Sequence, residues 1–199
     1  MRDFDPVRLG GHETGAWVNY YRRRWLAVLG DAVGMVRTGF GMSWPNTLLG
    51  AWYVLRGNQL WAPVPDNDPD GARQAMRKFY ALVVRATGES FDVDEAARLE
   101  VEWWRVHRDR QHGPSTLDNL TDAVAALYAH VYRVPAGSVR EAARHRAVAM
   151  DISDRWVAAG RDPASPDIAA ERAELIEGYR LLRAAVLGAG GAAPGPAGG

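Results

Sequence analysis

The stretch LEVEWWRVHR, residues 99 to 108, places Glu100 and His107 seven residues apart with a tryptophan pair between them. At about 100° per residue on a helix, the two side chains fall within about 20° of each other. Ala96 and Trp103 share that direction, Leu99 and Val106 flank it, and Glu102, Arg105, Arg108 and Asp109 occupy the opposite arc. The glutamate and the histidine therefore point towards the core. A carboxylate in an apolar setting must be paired, protonated or bound to a metal.

Two chemistries follow. In one, Glu100 pairs with a buried arginine, for which Arg24 (among Trp17, Val28 and Met35) and Arg56 (the lone charge of residues 44–61) are the candidates. A bidentate arginine–carboxylate pair satisfies both groups. In the other, Glu100 and His107 are ligands of iron or another divalent metal inside a helical bundle, where carboxylates and imidazoles project inward from facing helices. Glu13, near the start of the first helix, is a further candidate carboxylate. His145 shares a face with Ala149, Ile152 and Trp156 and is a further candidate imidazole.

The spacing Glu100-x6-His107 is similar to that on one helix of the heme-oxygenase-like di-iron oxidases, which are seven-helix domains. That resemblance implies an oxidative, iron-dependent activity. It covers one helix and two residues. Where that family carries a late carboxylate and histidine, His145 is followed at the same spacings by Ala149 and Ile152, so the family is not assigned. Asp151 and Asp154 project at about 120° and 180° from His145 and lie on other faces. The Glu-x-x-His pairs of ferritin-like bundles, HExxH and the calcium-loop pattern are all missing.

The chain of 199 residues contains no cysteine, which excludes disulfides, thiolate catalysis and Cys-ligated metal centres. Its formal charge is zero, so the whole chain carries no electrostatic footprint for nucleic acid. The YYRRRW run could suit a single strand, but its arginines spread round three helix faces. RTGFGMSWP follows a helix instead of a strand and is no phosphate loop. The opening MRDFDPVRLGGHE has no cationic and apolar segments of a signal peptide, and a cytoplasmic setting is expected. Eight tryptophans, mostly in the first half, supply rings for a core or for an apolar cavity.

Helical periodicity and caps recur and no strand pattern is present, so the expected fold is all-α. Seven helices are expected in one domain over residues 1–187. The first runs from about His12 to Arg37. The second follows Ser43 to about Trp61, and the third starts after Asp68. A fourth, behind the capping box DVDE (Asp92 to Glu95), carries Glu100 and His107. A fifth starts at Pro114 and Ser115, a sixth at the capping box SVRE (Ser138 to Glu141), and a seventh at Ser165. Residues 188–199, all Gly, Ala and Pro, are expected to be a disordered tail. The second helix is apolar all round, which predicts a central position in the bundle. Asp31, Arg37 and the glycines between the first two helices interrupt any charge-free span, so no stable membrane crossing is expected, and membrane-surface association is a lesser alternative.

Two functions follow. One is a pocket lined by Trp17, Tyr20, Arg24, Trp52, Arg56, Trp103 and Trp104 that takes a small apolar molecule, with Glu100, His107, Glu13 and His145 holding a metal for oxidative chemistry. The other is a non-catalytic helical scaffold or protein–protein interaction module, often a homodimer, whose buried polar residues only fix the packing.

Overall fold

The computed structural model describes residues 1–190, which form eight helices: α1 (Pro6–Tyr21), α2 (Trp25–Phe40), α3 (Trp44–Trp61), α4 (Pro69–Thr87), α5 (Val93–His112), α6 (Leu117–Tyr132), α7 (Ala136–Ala158) and α8 (Pro166–Gly190). Each helix packs on its neighbours in the chain, and α8 returns to pack on α1, so the contacts close into a circuit. Among the described residues no helix is long and apolar enough to cross a membrane.

The starts of α1, α4, α5 and α6 are set by short polar side chains that take up free backbone N–H groups, whereas α2, α3 and α7 have no side-chain cap. Asp5 accepts from the N–H of Val7 and Arg8 ahead of Pro6, and Asp68 accepts from Gly71 ahead of Pro69. Asp92 accepts from the N–H of Glu95, and Thr116 and Asn119 form a reciprocal capping box. The SVRE box does not form: α7 begins at Ala136 behind Pro135, and the Ser138 hydroxyl donates to the Pro135 carbonyl. Gly41 and Gly88 end α2 and α4 with φ of 61° and 74°, a region where a side chain would be strained.

The expected first helix, His12 to Arg37, is two helices. α1 starts earlier, on the Asp5–Pro6 cap, and stops at Tyr21. Beyond it Arg23 adopts φ 57°, its N–H donates to Tyr20 O, and the Arg24 N–H donates to Asn19 O. This is a Schellman stop whose left-handed residue is an arginine where glycine is usual. It folds α2 back on α1, where Asp31 accepts from Asn19 Nδ2 (2.9 Å) and lies 3.4 Å from His12 Nδ1.

The central position expected for the second helix, now α3, is also corrected. Its buried face is made of small residues, Thr47, Gly50, Ala51 and Gly57. A Cβ on Gly50 would meet Met42, Val36 and Phe79, and one on Gly57 would meet Met76 and Trp104. The inner face is small so that the helix can approach α4 and α5 closely. The large residues Trp44, Leu48, Leu49 and Trp52 are turned outwards, with Trp52 57% exposed.

The largest buried stripes come from α4 to α8: Ala72, Met76, Phe79 and Val83; Ala96, Trp103 and Val106; Leu120, Val124 and Val131; Val139, Ala143 and Met150; Leu175, Leu182 and Val186. Close approaches recur at α8, where a Cβ on Gly178 would lie 3.0 Å from the Ala142 carbonyl. α8 continues through Gly188 to Gly190, past the expected boundary at 187, and residues 191–199 of the expected tail lie outside the described residues.

Candidate functional site

The polar residues of the interior belong to the same stripes as the apolar ones. On α7, Val139, Ala143, Arg146, Met150 and Ser153 recur at alternating four and three positions. On α8, Glu171, Leu175, Tyr179, Leu182 and Val186 recur at spacings of four, four, three and four. On α1, Glu13 follows Leu9 by four. Helical spacing therefore carries Glu13, Arg146, Glu171 and Tyr179 inward with their apolar neighbours.

Arg146 is the hub. Its Nε and Nη2 donate to Glu13 Oε1 at 3.0 and 2.8 Å, and the Tyr179 hydroxyl donates to Glu13 Oε2. The Glu13 side chain is only 3% exposed and that of Arg146 14%. The guanidinium lies over the Trp103 ring, 4.9 Å from its centroid, and 6.0 Å from that of Tyr128. Burial by itself disfavours the cation. Glu13, followed by the hydroxyls of Tyr128 and Tyr179 and by Glu100, outweighs it and holds Arg146 charged far above the usual guanidinium range.

Glu100 feels the charge of this cation without a hydrogen bond or ion pair to it. Its Oε2 accepts from the Tyr80 hydroxyl at 2.5 Å. Burial raises the Glu100 carboxyl above the usual carboxylate range, against the opposing pull of the Tyr80 hydrogen bond and the charge of Arg146. Tyr80 is itself pushed up, first by burial and then by Glu100. The pair Tyr80–Glu100 and the chain Arg146–Glu13–Tyr179, with Trp103 and Tyr128 against the guanidinium, together draw on six helices: α1, α4, α5, α6, α7 and α8.

His107 belongs to a second cluster. Its Nε2 lies 3.0 Å from Asp154 Oδ2, its ring meets that of Trp17 edge-on at 6.2 Å, and Gln111 donates to Asp154 Oδ1 at 2.7 Å. The buried Glu171 of α8 has its carboxyl raised to about 8. Every influence on it disfavours the charge: burial first, then the negative charges of Glu13 and Asp154. His145 is on the flank of α7, with Nδ1 2.6 Å from Glu174 Oε2.

The four expected metal ligands are thus engaged separately: Glu13 by Arg146 and Tyr179, Glu100 by Tyr80, His107 by Asp154 and His145 by Glu174. Among the described residues no group of three His, Asp or Glu side chains is placed to hold a metal ion. The expected pocket residues are dispersed as well. Trp103 and Trp104 are buried, Trp17 is half-buried against Tyr21, and Tyr20, Arg24, Trp52 and Arg56 face outwards. Two surface clefts, of about 530 and 440 Å³, lie elsewhere. The first is lined by Asp3, Asp5, Arg8, His12, Arg37 and Trp44, the second by Trp61, Arg73, Arg98, Arg105 and Arg108 among others.

The buried arginine is Arg146, where Arg24 and Arg56 were expected. Its inward position is visible in the α7 spacing, one residue after His145, and the same arithmetic identifies Glu171 and Tyr179. The pairing of Asp154 with His107 had no sequence signal, because it depends on how α5 and α7 are juxtaposed. No family model, no curated protein and no solved structure matches the chain.

Proposed function

We propose that this chain is a non-catalytic helical scaffold whose buried polar residues hold the packing in register and whose interactions are made on its outer surface. The observation that carries this reading is the Glu13–Arg146 pair. Both charges are used up by each other, by the Tyr179 hydroxyl and by two aromatic faces, across helices from the two ends of the chain. Buried ionic groups of this kind favour one arrangement of helices over others, because any slip leaves a charge unpaired in an apolar setting. A catalytic group needs a free lone pair or proton within reach of a substrate. Glu13, Glu100, His107 and His145 are instead each held by a neighbouring side chain, in separate places.

One observation favours a second reading, that of an interior site for a ligand or metal with oxidative chemistry. The carboxyls of Glu171, Glu13 and Asp154 act on one another in the interior, and the Ser153 hydroxyl is buried without a hydrogen-bond partner. Perturbed carboxyls of this kind gather at functional sites as well as in structural networks. Elemental analysis and an absorption spectrum of the purified protein separate the two. The scaffold reading expects less than a tenth of an equivalent of any transition metal and no chromophore. A stoichiometric metal or coloured ligand that is lost on Glu171→Gln would overturn it.

A further inference from the structure

Seven large apolar residues stand out on α2 and α3: Trp25, Leu26, Leu29, Trp44, Leu48, Leu49 and Trp52, with Leu26 88% exposed. They are not scattered. Leu26, Leu29 and the half-buried Val33 recur at three and four positions along α2, and Trp44, Leu48 and Trp52 at four along α3. Such spacing lines up one stripe on each helix. The two helices pack together as a hairpin, with Arg37 of α2 over the Trp44 ring at 5.0 Å. Scaled to the sizes of tryptophan and leucine, these residues leave on the order of 800 Å² of largely apolar surface in water, against roughly 300–600 Å² for the largest patch of an ordinary monomer.

We infer that this face is occupied by a second copy of the chain, the two α2–α3 hairpins packing face to face as a four-helix bundle. The inference rests on the scaffold reading above. Two features select this occupant. The first is area, since a stable dimer buries about 800 Å² on each partner, which is what the patch offers. The second is charge. The exposed charges on α2, α3 and the turn before them are all arginines: Arg23, Arg24, Arg37 and Arg56. The one acid, Asp31, is turned inward to Asn19 and His12.

Acids lie at the edge instead. Asp3, which also accepts from Arg183 of its own chain and is 76% exposed, and Asp5 share a cleft with Arg8, Arg37 and Trp44 at one end of the hairpin, while Arg23, Arg24 and Arg56 mark the other. A twofold axis lying in the interface and perpendicular to the helices brings the Asp3–Asp5 edge of each copy beside Arg23, Arg24 and Arg56 of the other. Leu29, Leu48 and Trp52 of the two copies then meet in the middle. Self-matching of this kind is what a twofold interface requires. An anionic membrane surface fits less well, because the same acids would face the lipid and the chain has no net charge to draw it there.

Sedimentation equilibrium on the full chain tests the inference, with metal content measured on the same sample. The expected result is a species of twice the chain mass at micromolar concentration. Leu26→Glu and Leu48→Glu should each raise the dissociation constant about 100-fold or more by placing an uncompensated charge in the apolar seam. Ala136→Glu, at an exposed residue of α7, which packs on α6 and α8 and not on the hairpin, should leave it unchanged. Helical circular dichroism and melting curves identify any variant that fails to fold, and Leu26, the most exposed of the seven, is the variant least able to disturb the fold. A metal-free monomer at tens of micromolar overturns the second copy and leaves the scaffold reading standing. A dimer indifferent to both α2–α3 variants, or a monomer that binds phosphatidylglycerol vesicles through this face, overturns it too. A monomer carrying stoichiometric metal overturns both readings.

Discussion

The interior of the α1–α7–α8 contact and the outer face of α2–α3 invert the usual placement of residues. Inside, a carboxylate, a guanidinium and a phenol meet with almost no access to water. Outside, three tryptophans and four leucines are in water. A buried charge pair survives because each member satisfies the other, and its worth shows when one member is removed. An exposed apolar face survives only if something covers it or if its cost is tolerated. The same helical arithmetic generates both. The difference teaches that residue type alone does not assign a face: the size of the neighbours does. Gly50, Gly57 and Ala51 draw α3 against α4 and α5 by their small side, leaving the rings of Trp44 and Trp52 no inner place to go.

The largest effect that would break this contrast is at the hub. Arg146→Met removes the cation and strands the Glu13 carboxylate in the interior, and urea unfolding should register a loss of about 3–5 kcal/mol. A variant as stable as the parent would mean that the pair is solvated in solution.

Next comes Glu171, where the effect has the opposite sign. Its folded carboxyl is raised to about 8, whereas an unfolded one titrates at about 4.3. Between those values the folded chain keeps a proton that the unfolded chain has lost. Stability contributed by this group is therefore present below about pH 4.3 and lost as pH rises towards about 8. Glu171→Gln should remove that slope. At pH 8 and above it should be more stable than the parent by on the order of a few kcal/mol, and equal to it near pH 4. Denaturation midpoints of the two proteins across this range check the sign. A parent that gains on the variant with rising pH would contradict the account.

Glu100→Gln should cost only about 1 kcal/mol, because the amide oxygen can still accept from the Tyr80 hydroxyl and the carboxyl is already pushed towards its neutral form. A loss as large as that of Arg146→Met would place Glu100, rather than Glu13, at the centre of the network. The smallest effect belongs outside. Trp52→Ser, at a residue more than half exposed, should change the unfolding free energy of the monomer by less than about 0.5 kcal/mol, read at submicromolar concentration.

The all-α class, most helix starts and the inward aim of Trp103 and His107 were legible in the sequence, because capping residues and 3.6-residue periodicity are local. Asp68 before Pro69 and Asp92 before Glu95 mark their helices in the chain itself. The stop at Arg23 was not legible, since the residue that turns left-handed is an arginine and carries no glycine signal. The outward face of α3 was hidden because an all-apolar helix gives no polar side to orient it. In the candidate site, a buried carboxylate paired with a buried arginine was readable as a principle, and Arg146 was readable from its stripe. That Glu13 of the first helix meets Arg146 of the seventh depends on closure of the helix circuit, which no local pattern encodes.

The central claim, that the buried charges serve the packing, is tested most directly by the double-mutant cycle of Glu13→Leu and Arg146→Met, followed by urea unfolding. The account predicts that each single variant loses about 3–5 kcal/mol, while the double variant recovers most of that loss because no charge is left stranded in the apolar interior. Single variants that keep the parent's stability, or a double variant that loses the sum of the two, would contradict it.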